Sequence, residues 1–427
     1  MCVAGVAVGG MILSSCVKKQ DSAAFDLKDM DTTAKPGVDF YQYANGGWMK
    51  NHPIPADQSR YGAFEELEET NQNKLREMFE KASSNKSAAK GSIEQKIGDF
   101  YASGMDTAKI ETDGVKPLLE DLKLIDAITK PEDILPTIAK MQLTGTYPAF
   151  VLYAGQDDKN SAMVIAQFYQ GGLGLNDRDY YFGEDARSKN LRDEYVKFVA
   201  NMFSLAGTEQ IAPAEIATKI MNFETELARS HRTKLELRDP IKNYNKTSLD
   251  GLKKMAPDAD WDAYFTTLGL TATNDLNVGQ PENLAAVAKM INSTPIEDWK
   301  LYLKWHMINN AAPYLSSKFV DEQFHFYGTV VSGKEKNKDR WKRVLGETSG
   351  SLGEAVGQLY VEKYFPPEAK TKMLDMVANL KLSLKERISK LEWMSEPTKK
   401  LALEKLEKMN VKIGYPDKWI DYSSVEI

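Results

Sequence analysis

The chain has 427 residues, of which 42% are hydrophobic and 27% are charged, and its formal net charge is -6. Such a chain can bury a substantial core, either as about two or three domains or as one large unit. The acidic balance argues against a nucleic-acid binder, because contact with backbone phosphates needs a basic surface. Both cysteines, Cys2 and Cys16, lie near the N-terminus, so no intrachain disulfide can hold the rest of the chain together.

The N-terminal segment has the pattern of a secretory signal. An apolar run, VAGVAVGGMILSSC, ends in small residues before Cys16 and is too short to span a bilayer. Leu13-Ser14-Ser15-Cys16 resembles a bacterial lipobox. That resemblance implies that Cys16 is lipidated and that the protein is a membrane-anchored lipoprotein of the bacterial cell envelope, on its periplasmic or extracellular side. No Lys or Arg precedes the run, and a buried N-terminal segment with a chance cysteine is the alternative.

The stretch from Val38 to Phe64 combines six aromatic residues with a Gly46-Gly47 pair and a Pro53-Ile54-Pro55 loop. This density of rings and backbone constraints predicts a segment fixed against a large partner. Arg60 follows the double-proline loop. A guanidinium held there suits bidentate contact with a carboxylate, including the free C-terminus of a peptide.

Arg60 also has a simpler interpretation. Asp57, Glu65 and Glu66 lie close in sequence, and an ion pair with one of them would occupy the guanidinium without any ligand. The residues alone leave both interpretations open.

From residue 65 onward the pattern is mostly helical, with apolar residues at three- and four-residue spacing. The predicted helices cover 65–82, 92–103, 113–122, 131–143, 186–206, 213–231, 259–268, 281–293, 295–310, 335–364, 367–391 and 395–409. The exception is 148–171, where two apolar, β-branched and aromatic runs flank a polar turn and predict a hairpin. The sequence therefore predicts a mainly α protein, a large multi-helical domain with one small β-hairpin at about 148–171.

Three patterns that could carry chemistry are weak. The four histidines, His52, His231, His306 and His325, are not followed by Glu and no two lie four apart, so we interpret them as exposed or capping residues. The SGSLG motif at 349–353 lacks the first glycine of a nucleophile elbow and lies between helical patterns, where small residues would let helices approach closely. The GGLG motif at 171–174 predicts a turn after the hairpin.

Six groups of motifs, in order, strongly resemble the neprilysin and endothelin-converting-enzyme family of zinc metallopeptidases. The motifs are DFYQYANGGW with IPADQSRYGAF, KIGDFYASGMD at 96–106, GLGLNDRDYYF at 172–182, RDPIKNYN at 238–245, DRWKRVL with AVGQLYVEKYF at 339–365, and LEWMSEPTKKLALEKL with KIGYPDKW at 391–419. The likeness is to a bacterial branch without cysteines, because Asn45 stands where animal members carry a cysteine before Gly-Gly-Trp.

The resemblance implies a mostly helical shell around an internal chamber and zinc-dependent cleavage of short peptides on the amino side of hydrophobic residues. In the family, the HExxH helix and a downstream glutamate ligand lie C-terminal to the region that matches GYPDKW. This chain has no counterpart for them, so no catalytic residue and no zinc ligand is assigned. Arg60 matches the family arginine, in SRY, that contacts the C-terminal side of the substrate, and it is the predicted substrate-binding residue.

The expected organisation is a signal peptide with a lipobox at 1–16, a tether at 17–35, an N-terminal peptidase domain at 36–419 and, at 420–427, the truncated start of a linker to a missing catalytic domain. The predicted function is the substrate-gating region of a zinc metalloendopeptidase, with peptides, the membrane and that catalytic domain as partners and no nucleic acid. The alternative is a non-catalytic lipoprotein that acts as a peptide-binding or scaffold module.

Overall fold

The computed structural model describes residues 26–207, 210–270 and 274–427. The predicted lipidation site, Cys16, and residues 17–25 of the predicted tether lie outside these ranges. Among the described residues, no helix has the length and apolar character needed to cross a membrane.

The described residues are mainly helical, as predicted. The helices are α1 Phe40–Asn51, α2 Ala63–Ser84, α3 Ile93–Met105, α4 Thr107–Asp113, α5 Leu119–Asp126, α6 Ile134–Leu143, α7 Asp179–Phe182, α8 Ala186–Ala206, α9 Pro213–Arg229, α10 Leu249–Met255, α11 Trp261–Thr267, α12 Pro281–Ser293, α13 Ile296–Ala311, α14 Ser317–Gln323, α15 Arg340–Ser351, α16 Gly353–Tyr364, α17 Pro367–Ser389 and α18 Glu396–Glu407. A π-helical segment, Phe324–Val331, continues α14.

The predicted hairpin is confirmed. Strands β1 Phe150–Asp157 and β2 Asn160–Gln170 pair antiparallel, with Phe150 opposite Gln170. Two short strands that the sequence did not indicate, β3 Lys246–Thr247 and β4 Leu276–Val278, extend the pair into a sheet of order β1-β2-β4-β3, in which β4 runs parallel to β2. The hairpin is therefore anchored to the helical body by strands about a hundred residues downstream.

Two hydrophobic cores organise the helices. The larger core packs α5, α6, α8, α9 and α11–α14 around the sheet and buries Trp261, Trp299 and Trp305 almost completely. The smaller core joins α2 and α3 to α15 and α16, with Phe79, Ile97 and Leu345 at its centre. The two helix pairs of the smaller core are more than two hundred residues apart in sequence. The chain therefore returns to its N-terminal helices before it continues into α17.

Several predicted boundaries are wrong. The helix predicted at 113–122 is two helices, because α4 ends at Asp113, Gly114 takes a φ of +55°, and a 3-10 turn containing Pro117 precedes α5. The helix predicted at 335–364 also divides, at Leu352. Helix α1 was not predicted, since the predicted helices begin only at residue 65.

Candidate functional site

The Gly46-Gly47 pair lets α1 contact the segment that precedes it. A Cβ on Gly47 would lie 2.2 Å from the backbone oxygen of Lys28, so only glycine allows this approach. Asp31 secures the contact, because its backbone N–H donates to the Tyr43 oxygen at 2.9 Å and its carboxylate accepts from the Gln42 amide at 3.0 Å. The start of the stretch is thereby fixed in place.

Aromatic stacking connects α1 to the loop that carries Arg60. The ring of Trp48 stacks on His52 at 4.5 Å and on Tyr61 at 6.0 Å between centroids. The Tyr61 hydroxyl then donates to Glu69 of α2 at 3.0 Å. These contacts hold the two ends of the double-proline loop together.

The middle of that loop is tied to the segment that leads into α15. The Ala56 oxygen accepts from the backbone N–H groups of Glu335 and Lys336, at 3.1 and 3.0 Å. The Lys342 ammonium bridges Asp57 at 3.3 Å and Glu69 at 3.4 Å. Sequence reasoning missed Lys342 because its partners lie more than two hundred residues away, although it falls within the quoted motif DRWKRVL.

Arg60 lies on the outside of this fixed loop. Its side chain is 86% exposed, and its Nε pairs with Glu65 Oε1 at 2.9 Å. Glu65 was one of the three predicted ion-pair partners. The geometry therefore shows an intramolecular ion pair between an exposed guanidinium and a carboxylate that is only 15% exposed, and an incoming carboxylate would have to displace Glu65.

The stretch that carries Arg60 exposes several apolar side chains. Large hydrophobic side chains of the stretch that are more than half exposed are Val38, Phe40, Tyr41, Ile54 and Phe64. Exposed apolar side chains can mark an interaction site. The described residues leave these five side chains of the stretch largely uncovered.

A second group of functional-type side chains is buried in the larger core, around Glu224 of α9. Its carboxylate accepts hydrogen bonds from the hydroxyls of Tyr181 and Tyr195, at 2.6 and 2.8 Å, and from the backbone N–H of Gly174 at 3.2 Å. Burial raises the pKa of Glu224 to about 7, against the lowering effect of these hydrogen bonds. The network fixes the turn at 171–174, in which a Cβ on Gly174 would collide with the Tyr195 hydroxyl.

Two histidines correct the sequence interpretation. We expected exposed or capping histidines, but His231 is buried and the side chain of His306 is only 13% exposed. In each, the Nε2 has no hydrogen-bond partner among the described residues. The His231 ring hydrogen-bonds to the backbone of Gly171, and the His306 ring hydrogen-bonds to the backbone of Gly172. Burial lowers the pKa of both rings to about 4, so both are neutral at pH 7.

The remaining candidate patterns have structural explanations. In the described part of the chain, no three His, Cys, Asp or Glu side chains converge to hold a metal ion. The GGLG motif is the turn that the sequence predicted. The SGSLG motif joins α15 to α16, but close helix approach is the wrong explanation for it, because a Cβ on Gly350 or Gly353 would meet no heavy atom within 4 Å.

Comparison with known proteins gives one family throughout. Residues 36–416 match the sequence profile of Peptidase family M13. Endothelin-converting enzyme 1 of Rattus norvegicus is 30% identical over 421 residues, which cover 95% of this chain and 54% of that protein. Endothelin-converting enzyme-like 1 of Mus musculus is 28% identical over 431 residues, which cover 54% of it. The chain thus spans about half the length of the curated relatives it matches.

Solved structures agree with this result. The crystal structure of the Mycobacterium tuberculosis zinc metalloprotease Zmp1 in complex with an inhibitor has a TM-score of 0.87 and 35% identity, covering 93% of this chain and 60% of that one. PepO from Lactobacillus rhamnosis HN001, with a TM-score of 0.78 and 20% identity over 91% of this chain and 61% of that one, supports the fold alone.

The fold, the family match and the similar solved structures together show that this chain is the N-terminal part of a zinc metallopeptidase. The chain belongs to peptidase family M13, the neprilysin and endothelin-converting-enzyme family.

Proposed function

We propose that this chain is the substrate-side region of a zinc-dependent metalloendopeptidase, and that it covers and gates an active site whose catalytic residues lie in another part of the protein. The observation that carries the proposal is Arg60, an exposed guanidinium on a loop fixed at Ala56, Asp57 and Tyr61. The family supplies zinc as the cofactor of the complete enzyme. The 427 residues contain no HExxH, so we assign no zinc ligand and no catalytic step to them.

In this proposal Arg60 binds the terminal carboxylate of the peptide. The carboxylate replaces Glu65 on the guanidinium, and Phe64 offers an apolar contact for the adjoining side chain. Since the loop is already fixed, little conformational entropy is lost when the peptide binds.

The test compares peptides that have a free C-terminus with the same peptides amidated, in the complete enzyme. For Arg60→Ala we expect about a tenfold lower kcat/KM with the free peptide and little change with the amidated one, because a hydrogen bond to a charged group contributes about 1.5–3 kcal/mol. Equal losses for both peptides would mean that Arg60 only forms the ion pair with Glu65.

Glu65→Gln is the matched control. It leaves Arg60 in place and removes the competing carboxylate, so the free peptide should gain by up to about fivefold in kcat/KM. A loss instead would show that the ion pair positions Arg60 for its role.

The lipid anchor and the domain boundaries belong to the same proposal. We propose that residues 1–16 are a signal peptide with a lipobox and that Cys16 carries the lipid. A tether at 17–35 then leads to the 36–419 domain, which faces the periplasm or the exterior, and 420–427 begin a linker to the catalytic domain. In a bacterial host, Cys16→Ser should move the protein from the membrane fraction to the soluble fraction, as detected by immunoblotting. A variant that remained in the membrane fraction would rule out this anchor.

Reading the gene beyond Ile427 separates the proposal from the alternative of a non-catalytic peptide-binding or scaffold lipoprotein. A reading frame that continues into HExxH supports the peptidase. A stop codon with no such sequence downstream supports the alternative.

A further inference from the structure

A basic cleft lies where the two hydrophobic cores meet. It has a volume of about 530 Å³, and its walls come from α3, α4, the turn after α13, and α15. A smaller cavity of about 270 Å³ adjoins it and shares Pro313 and Arg343. Arg60 lines neither space.

The charge of this region contrasts with that of the whole chain. The two cavities are lined by four basic side chains, Arg340, Arg343, Lys334 and Lys338, and by one acidic side chain, Glu347. The protein as a whole carries a net charge of -6. Local positive charge of this kind attracts anions.

Arg340 has a structural role that fixes it in the cleft. Its Nε and one terminal nitrogen both donate to the Gly104 oxygen, at 2.9 and 2.7 Å, and so cap the C-terminal end of α3. Gly104 itself contacts Val344 closely, because a Cβ there would lie 2.5 Å from the valine side chain. The guanidinium is thereby held against the wall.

Arg343 has hydrogen-bond donors that no described protein group accepts. Its Nε donates to the Lys338 oxygen at 3.2 Å, while its two terminal nitrogens have no protein partner within the described ranges. Glu347, one helical turn later, could pair with it, but Glu347 accepts from the Tyr314 hydroxyl at 2.8 Å and forms no ion pair with Arg343. Burial, and then the Arg340 charge, lower the pKa of Arg343, with partial compensation by Asp321.

Beside the hydroxyl groups of Ser103, Ser351 and Tyr314, the wall has four apolar side chains, Phe100, Ile110, Pro313 and Val344. Inorganic phosphate would gain nothing from these apolar side chains, and Glu347 would repel any anion in the cleft. A planar carboxylate matches the fork of a guanidinium, and an apolar group attached to it can fill the remaining space.

We propose that this cleft binds the C-terminal carboxylate of a peptide that ends in an apolar residue, with Arg343 pairing with the carboxylate and Phe100, Ile110 and Val344 contacting the side chain. The ligand would bridge the two cores, because Pro313 and Tyr314 follow α13 of the larger core and Val344 belongs to the smaller one. The proposal does not depend on the role of Arg60.

Calorimetric titration of the 427-residue chain tests the site. The probes are N-acetyl-phenylalanine, its amide and inorganic phosphate. We expect the acid to bind at least tenfold more tightly than the amide, and phosphate not to compete with it. Equal binding of acid and amide would overturn the proposal, and so would effective competition by phosphate, which would reveal a general anion site.

Single substitutions test whether the acid binds at Arg343. Arg343→Gln should lose the preference for the acid and Arg343→Lys should keep part of it, while Glu347→Gln should bind the acid more tightly because a like charge is removed. Arg60→Ala should keep the Arg343-dependent preference for the acid over the amide, which separates this site from the proposed function. Thermal melting of each variant checks its fold. Unchanged binding in a folded Arg343→Gln, or loss of that preference in Arg60→Ala, would contradict the assignment.

Discussion

At the scale of single residues, burial decides chemistry that the sequence leaves open. Glu224 lies at the i+4 position from Ile220, on the apolar side of α9, and this spacing was the signal that could have predicted its burial. What the spacing cannot give is the set of donors around the carboxylate, since Tyr181, Tyr195 and Gly174 come from three other segments. His306 of α13 completes the site, with its Nε2 3.8 Å from Glu224 Oε1.

The raised pKa of Glu224 predicts a pH dependence of stability. Between the ordinary value of 4.5 and about 7, the folded state binds more protons than the unfolded state, so this group lowers stability as pH rises through that window. Glu224→Gln removes the effect. The stability of the variant relative to the unmodified chain should therefore increase from pH 4.5 to 7, by up to about 1.4 kcal/mol per pH unit.

Urea unfolding at several pH values measures this difference. His231 and His306 act in the opposite direction, because their lowered pKa makes stability fall as pH decreases from 6.5 to about 4. They are present in both proteins, so their contribution largely cancels in the comparison. A stability difference that stays constant with pH would show that Glu224 does not titrate in this range.

At the scale of elements, α17 shows how an amphipathic pattern can mislead. Its sequence predicts an inward face of Leu374, Val377, Leu384, Ile388 and Leu391, but Leu374 and Leu384 are 38% and 45% exposed, and no residue of the helix is buried. Leu384 and Ile388 of this face line an open cavity together with Leu401, Leu406 and Met409, on and just after α18. The spacing of apolar residues shows which of them share a helix face. Whether another element covers that face is decided only by the tertiary structure.

Truncations of leucines should reflect this difference. Leu382→Ala in α17, where the leucine is 64% exposed, should change the free energy of unfolding by less than about 0.5 kcal/mol. Leu227→Ala in α9, where the leucine is fully buried, should cost about 2–5 kcal/mol. Both are measured by urea unfolding. A cost above about 1 kcal/mol for Leu382→Ala that depended on protein concentration would mean that self-association covers the α17 surface.

At the scale of the whole molecule, some described segments pack on the helical body and others leave apolar side chains exposed to solvent. The segment after α18 still packs on the body, because Trp419 lies against Gly357 and the backbone N–H of Ile420 donates to Glu354 at 2.7 Å. Exposed apolar side chains occur in several places, among them the stretch 38–64, the hairpin region and α17.

The residues of this chain also predict how much zinc it binds. Elemental analysis of the purified 427-residue chain should find well under one zinc per chain, because its sequence contains no HExxH and its described residues bring no ligand set together. A mutant with His231 and His306 both replaced by Gln serves as the control for adventitious binding. One tightly bound zinc per chain, lost in that control, would reveal a metal site in this region.

The sequence by itself determined the mainly α class, the hairpin at 148–171 and the family, because these depend on local periodicity, turn chemistry and ordered motifs. It also identified Arg60 as the candidate residue. Only the tertiary structure decided that Glu65 pairs with Arg60, that Lys342 ties its loop, and that Arg343 faces a cleft without a carboxylate partner. The physical reason is sequence distance, since most of these environments are built by segments up to about three hundred residues apart, whose contacts leave no local pattern.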